Sequence, residues 1–298
     1  MEQTDTKMRW GVEQRLEFIE FRLFWDGELN RSDITRRFGL SVPQASADLA
    51  LYREQAPHNI RYDGSLKRYL AADDFKPVFF KPNPDRYLVQ LKALADGVID
   101  MRDTWIGYCP APESMPVPVR RIDPAILKGL IGAIRTEQAI DIHHRSMNPR
   151  RPEKMWRTIT PHAFAHDGLR WHVRAFCHID KIFKDFVLSR CIAVGQFRPP
   201  IASLRDDHDW NTYLDVVLEP NPRLTERQRR TIAFDYDMPK GRTVVKVRRA
   251  LLYYFSKRLR LDESKSRDDP AYAPIVVANH EEFMGAMPAI KSDTDLLT

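Results

Sequence analysis

Cysteine is scarce in this sequence. The chain has three, Cys109, Cys177 and Cys191, and an odd, scattered set of this kind suits free thiols in a reducing compartment. None belongs to a Cys-x-x-Cys pair, which argues against a structural zinc knuckle. The sequence also lacks any apolar run of about 18 residues, so we expect no membrane span. The first residues do not have the order of a secretory signal, and we therefore expect a cytoplasmic protein.

The signature motifs of several common enzyme classes are also absent. The sequence contains no phosphate-binding GxxxxGK, no dinucleotide-binding GxGxxG, no serine-hydrolase GxSxG and no HExxH metal motif. Histidines are nevertheless dense in the middle of the chain, where Cys177 is accompanied by His143, His144, His162, His166, His172 and His178. A metal-dependent nucleic-acid enzyme is therefore an alternative, although His143 and His144 would point to opposite faces of a strand. We favour a protein without catalytic residues, metal or cofactor.

The charge distribution is more informative than the total charge. A net charge of +6 and an isoelectric point near 9.2 permit a nucleic-acid partner without requiring one. Basic residues cluster at 147–157, 225–231 and 245–260, whereas the first 75 residues mix both signs. A polyanion site built from net charge is therefore expected in the middle or at the end of the chain.

Proline-rich segments divide the chain. Residues 75–87 and 108–124 are too rich in proline for a helix or a central strand, so each is predicted to be a connector. Between them, apolar spacing predicts a helix over 87–106. A second helix is predicted over 124–136, with Asp123 as its N-cap.

Short alternating runs follow. They cover 139–146, 156–165, 169–178 and 185–194, with turn signals between them, and they predict a small antiparallel sheet or barrel. After residue 209 the pattern becomes strand, helix, strand, helix, which indicates a small αβ domain or dimerisation module. The polar tail from Asp262 is expected to be partly disordered.

The first 75 residues have the order of a winged helix-turn-helix. An amphipathic helix is followed by a short helix over 31–38, a Ser41-Val42-Pro43-Gln44 capping box and a hairpin with an Asp63-Gly64 turn. Gln44 is suited to adenine and Ala47 to a thymine methyl group. The expected DNA-binding residues are Arg36, Arg37, Ser41, Pro43, Gln44, Ser46, Ala47, Arg53, Lys67 and Arg68. Of these, Arg36, Arg37, Lys67 and Arg68 are expected to hold phosphates. A protein-interaction module is the alternative.

The middle of the chain resembles a known family. Trp171-His172-Val173 and, further on, Arg190-Cys191-Ile192 follow a winged helix, an order similar to that of the WYL-domain transcriptional regulators. That family is named for a Trp-Tyr-Leu triplet, so His172 and Val173 replace Tyr and Leu here, and Cys191 separates the family's Arg-Ile pair. The His-Val version resembles the branch found beside bacterial anti-phage defence operons, where such proteins act as repressors.

The resemblance covers nearly the whole chain and implies a sensor. The implied domain is an Sm-like or SH3-like barrel that senses a ligand, in several relatives a nucleotide or single-stranded nucleic acid. Carried onto this sequence, the sensor positions are His144, Arg157, Pro161, His172 and Arg190.

The residues themselves agree with an anionic ligand. Arg157 and Arg190 offer guanidinium forks suited to phosphate. His172, Arg174 and His178 would share one strand face with Phe176, which is suited to stacking on a base. The complete set of expected ligand-binding residues is His144, Arg157, His162, His172, Arg174, Ser189 and Arg190. The alternative is that Arg174 pairs with Asp180 or Asp185 and that His172 lies on the surface.

Together these observations predict an α+β multidomain protein. Its expected parts are a winged helix-turn-helix (1–75), a helical linker (76–122), a WYL domain with a small Sm/SH3-like β-barrel (123–208) and a small αβ dimerisation domain (209–298). The expected partners are a double-stranded DNA operator with an inverted repeat, a second copy of the chain, and a nucleotide or single-stranded nucleic-acid effector. No membrane partner is expected.

Overall fold

A computed structural model describes residues 10–263 and 269–288. The backbone contacts divide the chain into two compact units, residues 1–118 and 119–298. Within the described ranges, none of the helices combines the length and apolarity that a bilayer crossing requires.

The first unit is built around the predicted helices. Its elements are α1 (Trp10–Asp26), β1 (Glu28–Leu29), α2 (Arg31–Phe38), α3 (Val42–Gln55), β2 (Ile60–Asp63), β3 (Arg68–Ala71) and α4 (Pro84–Ala95). The core of this unit includes Leu16, Ile19, Ala45, Leu49 and Tyr52, which come from α1 and α3. The strands form an antiparallel sheet in the order β1-β3-β2. The helix-turn-helix and its hairpin are therefore confirmed.

The hairpin turn differs from the predicted one. Residues 64–67 link β2 to β3, and the residue with a left-handed backbone is Lys67 (φ 52°), not Gly64. The Asp63 carboxylate accepts the backbone N–H groups of Ser65 (2.9 Å) and Leu66 (3.0 Å). This side chain organises the first half of the turn, so glycine is not needed there for its conformational freedom.

The predicted helix over 87–106 is wrong at both ends. Helix α4 begins at Pro84, inside the predicted connector, because Asn83 caps it by accepting the Arg86 N–H at 3.0 Å. Proline is favourable at the first helical position, where its missing N–H costs nothing. The helix ends at Ala95, and the left-handed Gly97 (φ 67°) follows it.

The second unit contains the β-rich region. Its elements are α5 (Pro124–Arg135), β4 (Ala139–Arg145), β5 (Lys154–His166), β6 (Trp171–Cys177), β7 (Ile182–Val187), β8 (Cys191–Arg198), α6 (His208–Asn211), β9 (Tyr213–Pro220), α7 (Glu226–Asp235), β10 (Thr243–Arg248), α8 (Leu252–Arg258), β11 (Ile275–Val277) and α9 (His280–Ala286). Helix α5 is capped by Asp123, as predicted. It packs over a sheet with the order β7-β6-β5-β4-β8.

The run over 185–194 is not one strand. Strand β7 ends at Val187, residues Leu188–Arg190 form a 3-10 turn, and β8 begins at Cys191 on the opposite edge of the sheet. A link of three residues spans at most about 14 Å, whereas the edges of a flat sheet of this size lie about 19 Å apart. The sheet therefore curls. No pairing between β7 and β8 closes it into a barrel within the described residues.

The C-terminal part has the predicted strand and helix order plus two additions. Strands β10, β9 and β11 form an antiparallel sheet in that order, over a core that includes Val216, Leu252, Ile275 and Phe283. Strand β11 and helix α9 lie in the tail that was expected to be partly disordered, so part of that tail has regular structure. The rest of the expectation, at 264–268 and 289–298, lies outside the described residues.

Candidate functional site

The start of α3 is held by the predicted capping box. Ser41 Oγ accepts the backbone N–H of Gln44 at 3.4 Å, and Gln44 Oε1 accepts the backbone N–H of Ser41 at 3.1 Å. Val42, Pro43, Gln44 and Ala47 are exposed, and Ser46 is partly buried. A small, exposed surface of this kind allows the backbone to approach the major groove of DNA. Val42, at 56% exposure, adds an apolar side chain to this surface that the sequence analysis did not include.

The basic residues that were predicted to bind DNA differ in whether another group of the protein already holds them. Arg36, Arg53 and Lys67 are exposed. Arg37 donates to the Arg102 carbonyl at 2.5 Å, and Arg68 forms an ion pair with Glu28. The latter two side chains would have to leave these partners to meet a phosphate.

A buried carboxylate fixes α3 within the first unit. Glu20 is fully buried and accepts the backbone N–H groups of Val78 (2.8 Å), Phe79 (2.6 Å) and Phe80 (2.8 Å). Tyr52, on α3, donates to the same carboxylate. Sequence reasoning missed this contact. A signal was present, because Glu20 lies four residues after Leu16, on the apolar stripe of α1.

In the second unit, the turn between β7 and β8 brings the two edges of the curled sheet together. His172 on β6 is paired with Val187, and His144 on β4 is paired with Cys191. Arg190 lies in the turn between these two pairs. The predicted positions His144, Arg157 and Arg190 therefore occupy one corner of the domain, which we call the sheet corner.

Two cations and one histidine pack around a single aromatic ring at the sheet corner. The Phe186 ring centroid lies 5.5 Å from the His144 ring, 5.5 Å from the Arg157 guanidinium carbon and 5.9 Å from Lys184 Nζ. The nearby carboxylate is Asp180, 3.9 Å from Arg157 and 3.2 Å from Lys184. Asp180 also pairs with Arg151. Positive charge at the corner therefore exceeds negative charge.

Buried polar atoms without partners lie in this corner. Arg157 is 2% exposed, and its three side-chain nitrogens make no hydrogen bond to the described residues. The ring nitrogens of the fully buried His144 make no well-aligned hydrogen bond to the described residues, although the Val187 backbone is close enough to oppose part of the fall in the His144 pKa. Burial, followed by the charges of Arg157, Arg190 and Lys184, lowers the pKa of His144 to about 3. The imidazole is therefore neutral near pH 7 and offers one donor and one acceptor.

Arg190 is the more accessible cation. Its guanidinium donates to the sulfur of Met147 at 2.7 Å, while its other terminal nitrogen is buried and unpaired among the described residues. Burial, then the charges of Arg170 and Arg120, lower the pKa of Arg190. Ser189, in the same turn, is partly buried. Buried donors, excess positive charge and no committed acceptor fit an anion with several oxygen atoms.

His172 is fully buried, so the surface alternative is wrong for it. Its Nε2 lies 3.0 Å from the Asp167 carboxylate, which also accepts the Arg170 Nε–H at 2.9 Å and two backbone N–H groups of the turn. Burial opposes the ionisation of Asp167, but these hydrogen bonds outweigh it and lower its pKa. The Tyr254 ring lies 5.0 Å from the His172 ring. Neither Asp167 nor Tyr254 was foreseen.

His162 and Arg174 belong to a different cluster. Arg174 holds the Asp207 carboxylate with two hydrogen bonds of 2.7 and 3.0 Å and reaches Asp185 at 3.5 Å. His162 Nε2 lies 2.9 Å from the same Asp207 carboxylate. The alternative that Arg174 pairs with Asp185 is confirmed, whereas Asp207 was missed. These carboxylates occupy the two side chains that were expected to bind ligand.

The remaining candidate residues also lie apart. His178 lies 2.8 Å from the Thr160 hydroxyl, and Phe176 packs against Phe183. Pro161 is paired with Ala175, next to a β-bulge. Across residues 10–263 and 269–288, no three histidine, cysteine or carboxylate side chains converge as metal ligands would.

Comparison with known families covers most of the chain. The BrxR transcriptional regulator winged helix-turn-helix domain matches residues 11–93, the WYL domain matches 125–194, and the BrxR transcriptional regulator C-terminal dimerization domain matches 213–283. These are regulator domains rather than enzyme domains.

Curated proteins match over almost the full length. The DNA-binding transcriptional repressor CapW of Stenotrophomonas maltophilia is 39% identical over 279 residues, which is 93% of this chain and 92% of that protein. The Pseudomonas aeruginosa repressor of the same name is 40% identical over 278 residues, with 92% and 91% coverage. That of Escherichia coli (strain KTE188) is 37% identical over 275 residues, with the same coverage. The chain therefore belongs to the BrxR and CapW family of WYL-domain transcriptional regulators.

Proposed function

We propose that this protein is a homodimeric transcriptional repressor that binds an inverted-repeat operator in its own defence operon and releases it when an anionic effector binds. The curated relatives carry the name of DNA-binding repressors, and the C-terminal match is to a dimerization domain. Such a repressor acts in the cytoplasm, where bacterial operators lie. The proposed domains are 1–75, 76–122, 123–208 and 209–298, with the curled sheet as a small Sm/SH3-like barrel that is not fully closed.

The first unit supplies the proposed DNA contacts. Gln44 and Ala47 face the bases, while Arg36, Arg53 and Lys67 hold phosphates. Reading adenine competes with one half of the capping box, because Gln44 Oε1 already accepts from both the backbone N–H and the hydroxyl of Ser41. The other half, in which Ser41 Oγ accepts the Gln44 N–H, does not depend on the Gln44 side chain.

The single observation that carries the proposed effector site is the burial of the Arg157 guanidinium, whose three nitrogens make no hydrogen bond to the described residues and whose ion-pair partner Asp180 lies 3.9 Å away. A buried charge without hydrogen-bond partners is costly, and a phosphate group supplies the missing acceptors. His144 and Arg157 are buried, so a phosphate, which is smaller than a base, reaches them only if the turn that carries the partly buried Ser189 and Arg190 moves. We place a phosphate at His144 and Arg157 after that movement, and the rest of a nucleotide or single-stranded nucleic acid toward Arg190 and Ser189.

Operator binding is tested with labelled DNA from the region upstream of the gene. Wild-type protein is expected to shift a fragment that contains an inverted repeat. Gln44→Ala is expected to relax base preference, and Lys67→Ala to weaken binding to all sequences and reduce its salt dependence. Arg145→Ala, on β4, is the control. No shift of any upstream fragment at low salt would contradict the proposal.

The effector site is tested with 5′-phosphorylated thymidine hexanucleotide. Wild-type protein is expected to bind it and to lose operator affinity. Arg190→Ala is expected to retain operator binding and lose this response. Equal loss of both properties would mean that Arg190 is structural.

A further inference from the structure

One face of α8 is held against the turn between β5 and β6. Tyr254 is 6% exposed, and its ring packs on His172 while its hydroxyl donates to Asp185 Oδ2 at 3.1 Å. Arg258, one helical turn later, places its guanidinium over Gly168 and occupies the space that a side chain at 168 would need. Two residues of the C-terminal segment therefore contact the central domain at neighbouring positions, Tyr254 at His172 and Arg258 at Gly168. We call this contact the α8 clasp.

The gripped turn is a single hydrogen-bonded unit. The Asp167 carboxylate accepts the Leu169 N–H at 2.8 Å, the Arg170 N–H at 2.6 Å and the Arg170 Nε–H at 2.9 Å, and it also holds His172. A change in the position of Arg170 therefore alters the bonding of Asp167, and through Asp167 the support of His172. The other ring nitrogen of His172 is buried and has no hydrogen-bond partner among the described residues. The His172 ring is therefore kept in place by its bond to Asp167 and by packing contacts, one of which is with the Tyr254 ring.

The turn between β5 and β6 lies next to the segment that carries Arg190. His172, two residues after Arg170, is paired with Val187, which leads directly into the Leu188–Arg190 turn. The charges of Arg170 and Arg190 are close enough to interact, and Arg190 is one of the residues proposed to bind the effector. The positive charges of Arg170 and Arg190 repel each other, and the Asp167 carboxylate keeps Arg170 in place against that repulsion. An anion bound at Arg190 removes the repulsion, so Arg170 settles more firmly on Asp167.

The opposite side of the clasp is rigid. Asp185, the acceptor of the Tyr254 hydroxyl, also faces Arg174, which holds Asp207 with two hydrogen bonds. These buried groups satisfy one another, so this side has little freedom to move. A shift of the turn therefore has to be accommodated by α8 itself.

We propose that Tyr254 is a positioning residue of the effector site, supplied by the C-terminal segment, and that it transmits the occupancy of that site to α8. Tyr254 acts through His172 and does not itself touch the effector. The proposal rests on the proposed effector site for its ligand, but its geometry lies entirely in the described contacts. Tyr254 would thus connect the proposed effector site to the segment that matches a C-terminal dimerization domain.

Hydrogen exchange of the full-length protein tests the link without any ligand. Arg190→Gln neutralises the guanidinium as a bound anion would, and it is expected to slow amide exchange across 252–258 by about three-fold or more. The same substitution in a Tyr254→Phe background keeps the ring contact with His172 but frees the ring from its second attachment, at Asp185. The ring can then follow the turn without moving α8, so exchange across 252–258 is expected to stay nearly unchanged. Tyr253→Phe is the matched control, and the response to Arg190→Gln is expected to persist in it.

A purely structural role for Tyr254 predicts a different outcome. Tyr254→Phe would then raise exchange uniformly, and Arg190→Gln would have the same effect with and without the hydroxyl, which overturns the proposal. An absent response to Arg190→Gln in otherwise wild-type protein also overturns it. Arg258→Ala, at an exposed position, replaces Tyr254→Phe if the latter does not fold.

The phosphorylated hexanucleotide separates this proposal from the proposed function. Binding of the oligonucleotide with slower exchange across 252–258 supports both. Failure to bind, together with a Tyr254-dependent response to Arg190→Gln, rejects the ligand class and leaves the link intact. Binding without any change in α8 keeps the effector site and rejects the link.

Discussion

The Tyr52 hydroxyl donates a hydrogen bond of 3.0 Å to the Glu20 carboxylate. Since that carboxylate also accepts the N–H groups of Val78, Phe79 and Phe80, one buried anion joins α1, α3 and the segment that leaves the wing. Burial is the main cause of a strongly raised pKa for Tyr52, so its hydroxyl remains a donor. The orientation of the helix proposed to read DNA thus depends on a contact outside the helix-turn-helix itself.

Glu20→Gln is expected to destabilise the first unit. An amide accepts hydrogen bonds at one atom only, and its NH₂ group would face backbone donors, so we expect a loss of about 3 kcal/mol. Amide exchange at residues 78–80 should accelerate by more than about ten-fold. Glu13→Gln, at an exposed position of the same helix, is the control. Unchanged exchange at 78–80 would show that these N–H groups do not depend on the charge.

Arg157→Met is expected to separate stability from function. An apolar side chain of similar length removes the desolvation cost of a buried charge that makes no hydrogen bond, so we expect no loss of stability. Asp180 keeps Lys184 and Arg151 as partners, so no carboxylate is orphaned. We therefore expect a midpoint of urea unfolding that is unchanged or higher, together with loss of oligonucleotide binding.

Arg174→Met is the matched comparison for this prediction. Arg174 is equally buried but satisfies Asp207 and Asp185, so its removal leaves two carboxylates poorly paired and should cost about 3–5 kcal/mol. A loss of similar size in Arg157→Met would mean that Arg157 is a structural cation.

The sequence was sufficient where the controlling interactions are local. The cap at Ser41, the cap at Asp123 and the burial of Ala45, Leu49 and Tyr52 depend on residues three or four positions apart, and the structure has all of them. The family resemblance added His144, Arg157 and Arg190, which the structure brings to one corner.

Contacts between residues far apart in the sequence could not be predicted from local sequence patterns. The Arg174 and Asp207 pair spans 33 positions, and the contact of Tyr254 with Asp185 spans 69. Strand periodicity placed His172 and Arg174 on one face, but it gave no indication that different carboxylates would hold them. The split of 185–194 was missed because a short 3-10 turn hardly interrupts an apolar pattern.

His144 predicts a specific dependence of stability on pH. Its pKa is lowered to about 3 in the folded protein by burial and nearby cations, whereas it returns to about 6.5 in the unfolded chain. Between these values the unfolded chain binds a proton that the folded protein does not. This contribution to stability is therefore constant above about pH 6.5 and falls below it, by at most about 1.4 kcal/mol per pH unit.

Urea unfolding at about pH 7 and at about pH 5 measures this fall in stability, which should reach up to about 2 kcal/mol at the lower pH. In His144→Leu this part of the fall is expected to be absent. Carboxylates with lowered pKa values, such as Asp207, act in the same direction at still lower pH, and they cancel in the comparison of the two proteins. Parallel curves for wild type and His144→Leu would show that the imidazole is not buried as described.

Gly168→Ala tests the backbone beneath the α8 clasp. The φ angle of Gly168 is 93°, in the region that disfavours any residue with a Cβ, and the Arg258 guanidinium occupies the position of that atom. We expect a loss of about 1–2 kcal/mol from backbone strain, with Arg258 displaced and faster exchange in α8. Gly285→Ala, in helix α9 with no atom near the added carbon, should be neutral or slightly stabilising. Equal effects of the two substitutions would show that the turn tolerates a side chain and that Arg258 does not grip it.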